Sequence, residues 1–206
     1  MHSGVLARSI VLDRLTAAWL DRHPGAIVLN IACGLDTRCD RMQGCAHWYN
    51  LDLPETIAVR EKLLPEAGTV SQIAISATDD WGGATAETDA PVLVIIEGLI
   101  MYLSEPEVKC IFEVITGRFD RTTVFVETMN PVMVKHFKEK SIEGSHAKFS
   151  WGIKNGKALA QILPDFRFAE EHSLTEGMAV FVPFYRVLGK IPAVREISNK
   201  IAVLER

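Results

Sequence analysis

Four places in the 206-residue chain put a polar side chain or open backbone directly after an apolar run. Ala32-Cys33-Gly34 follows Ile27 to Ile31, and Asp52 follows Ala46 to Leu51. Ser76 and Asp79 follow Val70 to Ile75, and Glu97 follows Val92 to Ile96. Asp52 lies 18 residues beyond Gly34. An acid about 20 residues past a glycine turn can accept both hydroxyls of an adenosine ribose. The same acid, just before Pro54, also suits a helix cap.

The turn holding Gly34 narrows the ligand. A dinucleotide turn needs several glycines so that backbone can approach a pyrophosphate. Here Gly34 stands with Ala32, Cys33, Leu35 and Asp36, and the acid would repel phosphate. That loop suits an adenosine without phosphate, of which S-adenosylmethionine is the obvious candidate. Glu97 closes an uncharged run, and a carboxylate there needs a cation or donors to meet it. The amino group of a methionine tail would serve, and so would a local arginine or lysine.

These residues need a scaffold that brings strand ends together. Short β-branched runs alternate with helical patterns at Val5 to Arg22, Glu55 to about Leu64 and Glu105 to about Phe119. That alternation predicts βαβ units around a parallel sheet. A fifth strand is expected over Thr123 to Glu127. Helices near Pro131 to Lys140 and Lys157 to Leu163 follow, with late strands at Phe166 to Glu171 and Lys200 to Leu204. In such sheets ligands bind outside the carboxyl ends of the strands.

Composition excludes other classes. Lys and Arg total 22 against 26 Asp and Glu, the wrong balance for a nucleic-acid binder. A hydrophobic share of 48% excludes a mainly disordered chain. No apolar run is long enough for a membrane span, and Met1 to Arg8 lacks the charged start and long apolar run of a signal peptide. Cys33, Cys39, Cys45 and Cys110 lack disulfide or zinc spacing, so reduced thiols, no metal and a cytoplasmic location are expected.

Ala7-Arg-Ser-Ile-Val-Leu-Asp13, Val28 to Arg38, Trp48 to Glu55 and Glu97-Gly-Leu-Ile-Met-Tyr-Leu103 occur in order. Together with Ser76 to Trp81 they resemble the leucine carboxyl methyltransferase family, including its polyketide-synthesis O-methyltransferase branch. The resemblance runs from about Arg8 to Phe125 and is looser beyond. It implies a class I methyltransferase fold: an α/β, doubly wound, Rossmann-like sheet, mostly parallel with a late antiparallel strand. It implies S-adenosylmethionine as cofactor. Arg8 would bind the donor's carboxylate and Glu97 its amino group. Ala32, Cys33 and Gly34 would line its methionine and ribose, and Asp52, with Leu53 beside it, would hold the ribose hydroxyls. Ser76, Ala77 and Asp79 would border the adenine, and Tyr102 would sit near the methyl-transfer region as the catalytic candidate.

Two departures from the family pattern stand out. Ala32 replaces the usual first glycine of the turn. Family members also carry several dozen residues before the Arg8 segment, so one domain over 1–206 without that extension is expected, with Asn130 to Trp151 as a substitute lid. The expected activity is O-methylation of a small-molecule hydroxyl or carboxyl group. The alternatives are a non-catalytic S-adenosylmethionine-binding domain and a nicotinamide dehydrogenase. No histidine falls at a strand end: His47 reads as packed, and His136, His146 and His172 as surface or structural. That slightly favours a carboxylate acceptor, which needs no base. Arg38 reads as a partner for Asp36 or Asp40. A second copy of the chain could pair with exposed apolar surface near the end.

Overall fold

The computed structural model describes residues 2–66, 68–136 and 148–206. Among them a seven-stranded sheet runs in the order β3-β2-β1-β4-β5-β7-β6. The strands are β1 (Ile27–Ile31), β2 (His47–Asp52), β3 (Val70–Ala74), β4 (Val92–Ile96), β5 (Thr122–Thr128), β6 (Arg167–Ser173) and β7 (Lys200–Glu205). The first five are mutually parallel, and β7 runs antiparallel to both β5 and β6.

Strand side chains alternate between two cores, because successive residues face opposite sides of a sheet. Leu29, Ile31, Val94, Ile96, Val124 and Val126 pack on one side. Val28, Leu93, Ile95, Phe125, Ile201 and Val203 pack on the other. Both faces are therefore covered, and β1 and β4 read as unbroken apolar runs.

Helix α1 (His2–Arg22) covers the second side with Val11, Leu12, Trp19 and Leu20. Short α2 (Arg38–Arg41) follows β1, and α3 (Pro54–Leu63) follows β2, opening on a proline whose missing N–H costs nothing there. Helix α4 (Glu105–Arg118) covers the first side with Val108, Ile111, Phe112 and Ile115. Ser104 and Glu107 form a reciprocal capping box at its start. Then come α5 (Pro131–His136) and α6 (Gly156–Gln161), the latter capped by Asn155.

Three helices between β6 and β7 have no counterpart in the sequence expectations: α7 (Leu174–Phe181), α8 (Tyr185–Leu188) and α9 (Pro192–Ile197). Helix α7 lies directly across α1. A Cβ on Gly177 would fall 2.1 Å from the carbonyl oxygen of Ala7, so only glycine allows this approach. Part of the expected Pro131 to Lys140 helix, part of the expected lid and His146 lie outside the described residues. Among the described residues no helix is long and apolar enough to cross a membrane.

Candidate functional site

Register fixes the site. Ile31 of β1 aligns with Leu51 of β2 on one side and Ile96 of β4 on the other. Asp52 and Glu97 follow those two partners, so they sit at strand tips flanking the β1 turn. Two strand spacings put the backbones of these tips about 10 Å apart. Ser76, Ala77 and Asp79 come off the next tip outward, since Ala74 of β3 aligns with Asp52.

The turn itself is held tightly. Ala32 adopts φ 54° and Gly34 φ 51°, both left-handed. Alanine there carries strain that glycine would not. Asp52 Oδ2 accepts the Gly34 N–H at 2.8 Å, and Oδ1 accepts the Leu53 N–H at 2.7 Å. Asp52 is therefore not the cap of α3; its carboxylate braces the turn, and each oxygen keeps a further lone pair. A Cβ on Gly34 would meet nothing within 4 Å, so the backbone there faces open space. Cys33 is buried, and burial pushes its thiol up to about 12, with Arg60 opposing only in part. It is a wall residue rather than a nucleophile. Ser76 Oγ lies 2.9 Å from Thr78 Oγ1, and Asp79 donates its N–H to the Ser76 carbonyl.

Glu97 is the centre of an ion-pair network. Its Oε1 accepts from Arg8 Nε at 2.5 Å, and its Oε2 lies 2.6 Å from Arg38 Nη1. Arg38 also meets Asp36 and Asp13, both at 2.7 Å, and Asp13 meets Arg41 at 2.9 Å. The sequence pairing of Arg38 with Asp36 is present; Asp40 is not among its partners. What the sequence missed is that Arg38 is 1% exposed and reaches across to Glu97. Arg8 continues to Glu127 at 2.8 Å, so the residue expected to await a carboxylate is already clasped between two. Burial works against the Arg8 charge, but Glu127 and Glu97 outweigh it and raise its pKa above the ordinary arginine value.

Glu127 is the second residue that the sequence reading passed over. It follows the apolar run Thr123-Val-Phe-Val126 just as Glu97 follows β4, and that repeated pattern was the available signal.

A cavity of about 580 Å³ opens over this network. Arg8, Glu97, Gly98 and Glu127 form its charged end. Met101, Met129, Leu174 and Met178 form apolar walls, and α8 and α9 contribute Tyr185, Val194 and Ile197. Tyr102 lines it too, with its ring 5.1 Å from that of Phe149. Of the sequence candidates, Arg8, Glu97 and Tyr102 share this cavity. Ala32, Cys33, Gly34, Asp52, Leu53, Ser76, Ala77 and Asp79 lie outside its lining, along the neighbouring strand tips.

The arrangement offers a row of strand ends: backbone and acid at β1 and β2, then paired opposite charges at β4, then an apolar chamber. That row can hold a polar nucleoside at one end and a zwitterionic tail at the other.

Comparison with known proteins agrees with this geometry. The chain is 32% identical over 177 residues to the tetracenomycin polyketide synthesis O-methyltransferase TcmP of Streptomyces glaucescens, covering 84% of this chain and 65% of that protein. It is 29% identical over 185 residues to the S-adenosyl-L-methionine-dependent methyltransferase dpfgK of Gibberella zeae, covering 82% and 62%. The chain thus spans somewhat less than two thirds of the length of these curated relatives. The magnesium protoporphyrin IX methyltransferase of Synechocystis superposes with a TM-score of 0.60 at 13% identity, over 100% of this chain and 86% of that one. At that identity the likeness speaks for the fold: the strand order above is that of class I methyltransferases. The model of the leucine carboxyl methyltransferase family matches residues 1–116, the stretch that carries Arg8, the Gly34 turn, Asp52 and Glu97, and the chain belongs to that family.

Proposed function

We propose that the protein binds S-adenosylmethionine and methylates an oxygen, hydroxyl or carboxyl, of a small molecule. The observation that carries this reading is the Arg8–Glu97 pair at the β4 tip, placed between the open Gly34 turn and an apolar chamber. The names of the relatives TcmP and dpfgK support the donor, and TcmP supports oxygen as the acceptor atom.

The residues present fit this donor. Arg8 and Glu97 offer opposite charges that would hold the donor's carboxylate and ammonium in place of one another. Glu127 would keep Arg8 in position. Arg38 would keep Glu97 in position. Asp52 keeps lone pairs for ribose hydroxyls, and Gly34 leaves room for close approach. Bound there, the donor supplies an electrophilic methyl group on a sulfonium.

The chain's part is alignment, which supplies much of the barrier reduction for a displacement. Met101, Met129, Met133 and Met178, with the Tyr102–Phe149 pair, give the chamber apolar walls. Neither carboxylate in the cavity is available as a base, since guanidinium groups hold both. Among the described residues no histidine lines it. This favours an acceptor that is already ionised near pH 7, a carboxylate.

Calorimetry of the chain with S-adenosylmethionine and with its demethylated product tests the donor. Binding with a Kd below a few hundred micromolar, by order of magnitude, is expected. No heat from either ligand overturns the reading. Turnover on a panel of aromatic carboxylic acids and phenols then tests the acceptor, with methyl esters as the expected products. Donor binding without product from any acceptor would support the non-catalytic alternative.

A further inference from the structure

Three charged side chains line the cavity among the described residues: Arg8, Glu97 and Glu127. One guanidinium thus serves two carboxylates. The imbalance persists when the connected ion pairs are followed outward. Among the described residues Arg8, Arg38 and Arg41 face Glu97, Glu127, Asp36 and Asp13, which leaves one negative charge in excess.

Glu127 braces Arg8, yet only one of its three donors is a cation. It is 2% exposed, and both its oxygens accept: from Arg8 Nη1 at 2.8 Å, from the Gly98 N–H at 2.9 Å and from Asn199 Nδ2 at 2.9 Å. Two of those donors are neutral, and a neutral acceptor would satisfy them. A buried anion in excess of its cations is costly unless a further cation arrives.

The methyl donor and its product share their nucleoside and amino-acid tail. They differ by one methyl group and one positive charge. A sulfonium has no N–H or O–H, so hydrogen bonds cannot recognise it. Apart from the bulk of the methyl group, an electrostatic field is what separates it from the neutral thioether. Arg8 and Glu97 are matched to the tail, which both ligands carry, so neither of them discriminates. Glu127 remains, at the charged end of the chamber, where its own burial keeps screening weak.

We propose that Glu127 is a specificity-determining residue, whose excess charge favours the sulfonium donor over the demethylated product. This rests on the S-adenosylmethionine reading above, and it adds a device for product release: the cavity's affinity falls when the methyl group leaves with the positive charge.

The test is calorimetric, on the full chain, with S-adenosylmethionine and S-adenosylhomocysteine. E127Q is expected to weaken the donor on the order of tenfold more than the product, any loosening of Arg8 being shared by both ligands. E127D, which keeps the charge, is expected to preserve the ratio of the two constants. E97Q is expected to weaken both ligands alike. Equal shifts for donor and product in E127Q would leave Glu127 a structural brace and overturn the proposal, while the donor reading stands. Failure of the unmodified chain to bind either ligand sinks the donor reading instead. Should E127Q lose its native circular dichroism, the unmodified chain decides with an analogue of the product bearing an amine in place of sulfur. Its protonated form must bind about tenfold more tightly than its neutral form; equal affinities overturn the proposal.

Discussion

Arg38 has almost no contact with solvent, yet it meets Glu97, Asp36 and Asp13. Burial opposes its charge, and the three acids, led by Glu97, outweigh that and raise its pKa. Removing one member of a buried ion pair leaves the others uncompensated. R38M is therefore expected to lower unfolding stability by about 3–5 kcal/mol, read from urea denaturation. A loss below about 1 kcal/mol would mean that solvent already screens the cluster. Ala32 poses the opposite case. Its left-handed backbone costs roughly 1–2 kcal/mol for a residue with a Cβ. Glycine returns about 0.5–1 kcal/mol of that as lost chain entropy. A32G is expected to raise stability by about 0.5–1 kcal/mol, seen as a higher urea midpoint at unchanged slope. An unchanged or lower midpoint would show that the turn does not strain the alanine.

Helix α1 carries Arg8 to the sheet, and α7 fixes α1 from above. The contact depends on Gly177, whose missing side chain admits the Ala7 carbonyl. G177A is expected to cost about 1–3 kcal/mol by overpacking and to weaken donor binding, because α1 must shift with its arginine. G117A is the control: no atom stands within 4 Å of that position in α4. There, alanine is expected to add about 0.5–1 kcal/mol. Equal effects from the two substitutions would rule out a packing role for Gly177. These elements differ in how legible they are. Strands β1 and β4 match the sequence reading residue for residue, because a strand buried on both faces is marked by composition alone. Helices α7 to α9 escaped it. They span 8, 4 and 6 residues, and helices that short owe their form to what they pack on. The site divides the same way. Asp52 and Glu97 were marked by position at strand ends. The reach of Arg8 to Glu127, across 119 residues of sequence, is set only by the tertiary fold.

The cavity exists only where the first helix, the sheet and the last helices meet, so its integrity follows the stability of the whole molecule. One ionic cluster spans that junction. Arg14 of α1 meets Glu176 of α7 at 2.7 Å, and Glu176 lies 3.2 Å from Nδ1 of His172 on β6. Glu170 faces the other ring nitrogen at 3.5 Å. The hydrogen bond to Glu176 lifts His172 above the ordinary histidine value of 6.5, although burial opposes it. Burial likewise opposes the charge on Glu176, but His172 and Arg14 prevail and hold that carboxyl at about 2, against an ordinary 4.5. The signs give each limb of the pH profile. His172 stabilises fully below about pH 6.5, and that contribution is lost as pH rises through its elevated folded pKa. Glu176 stabilises above about pH 4.5, and that contribution is lost as pH falls toward 2. Glu66, lowered by Arg60 against its own burial, adds to the acid limb. Cys33 and Cys39, pushed up to about 12 mainly by burial, act only above about pH 9 and leave the middle range to His172. Stability is therefore expected to peak between about pH 5 and 6.5 and to decline through neutrality. H172Q should flatten the neutral limb and leave the acid limb in place, measured as urea midpoints across the range. An unchanged neutral limb in H172Q would remove this cluster as its source.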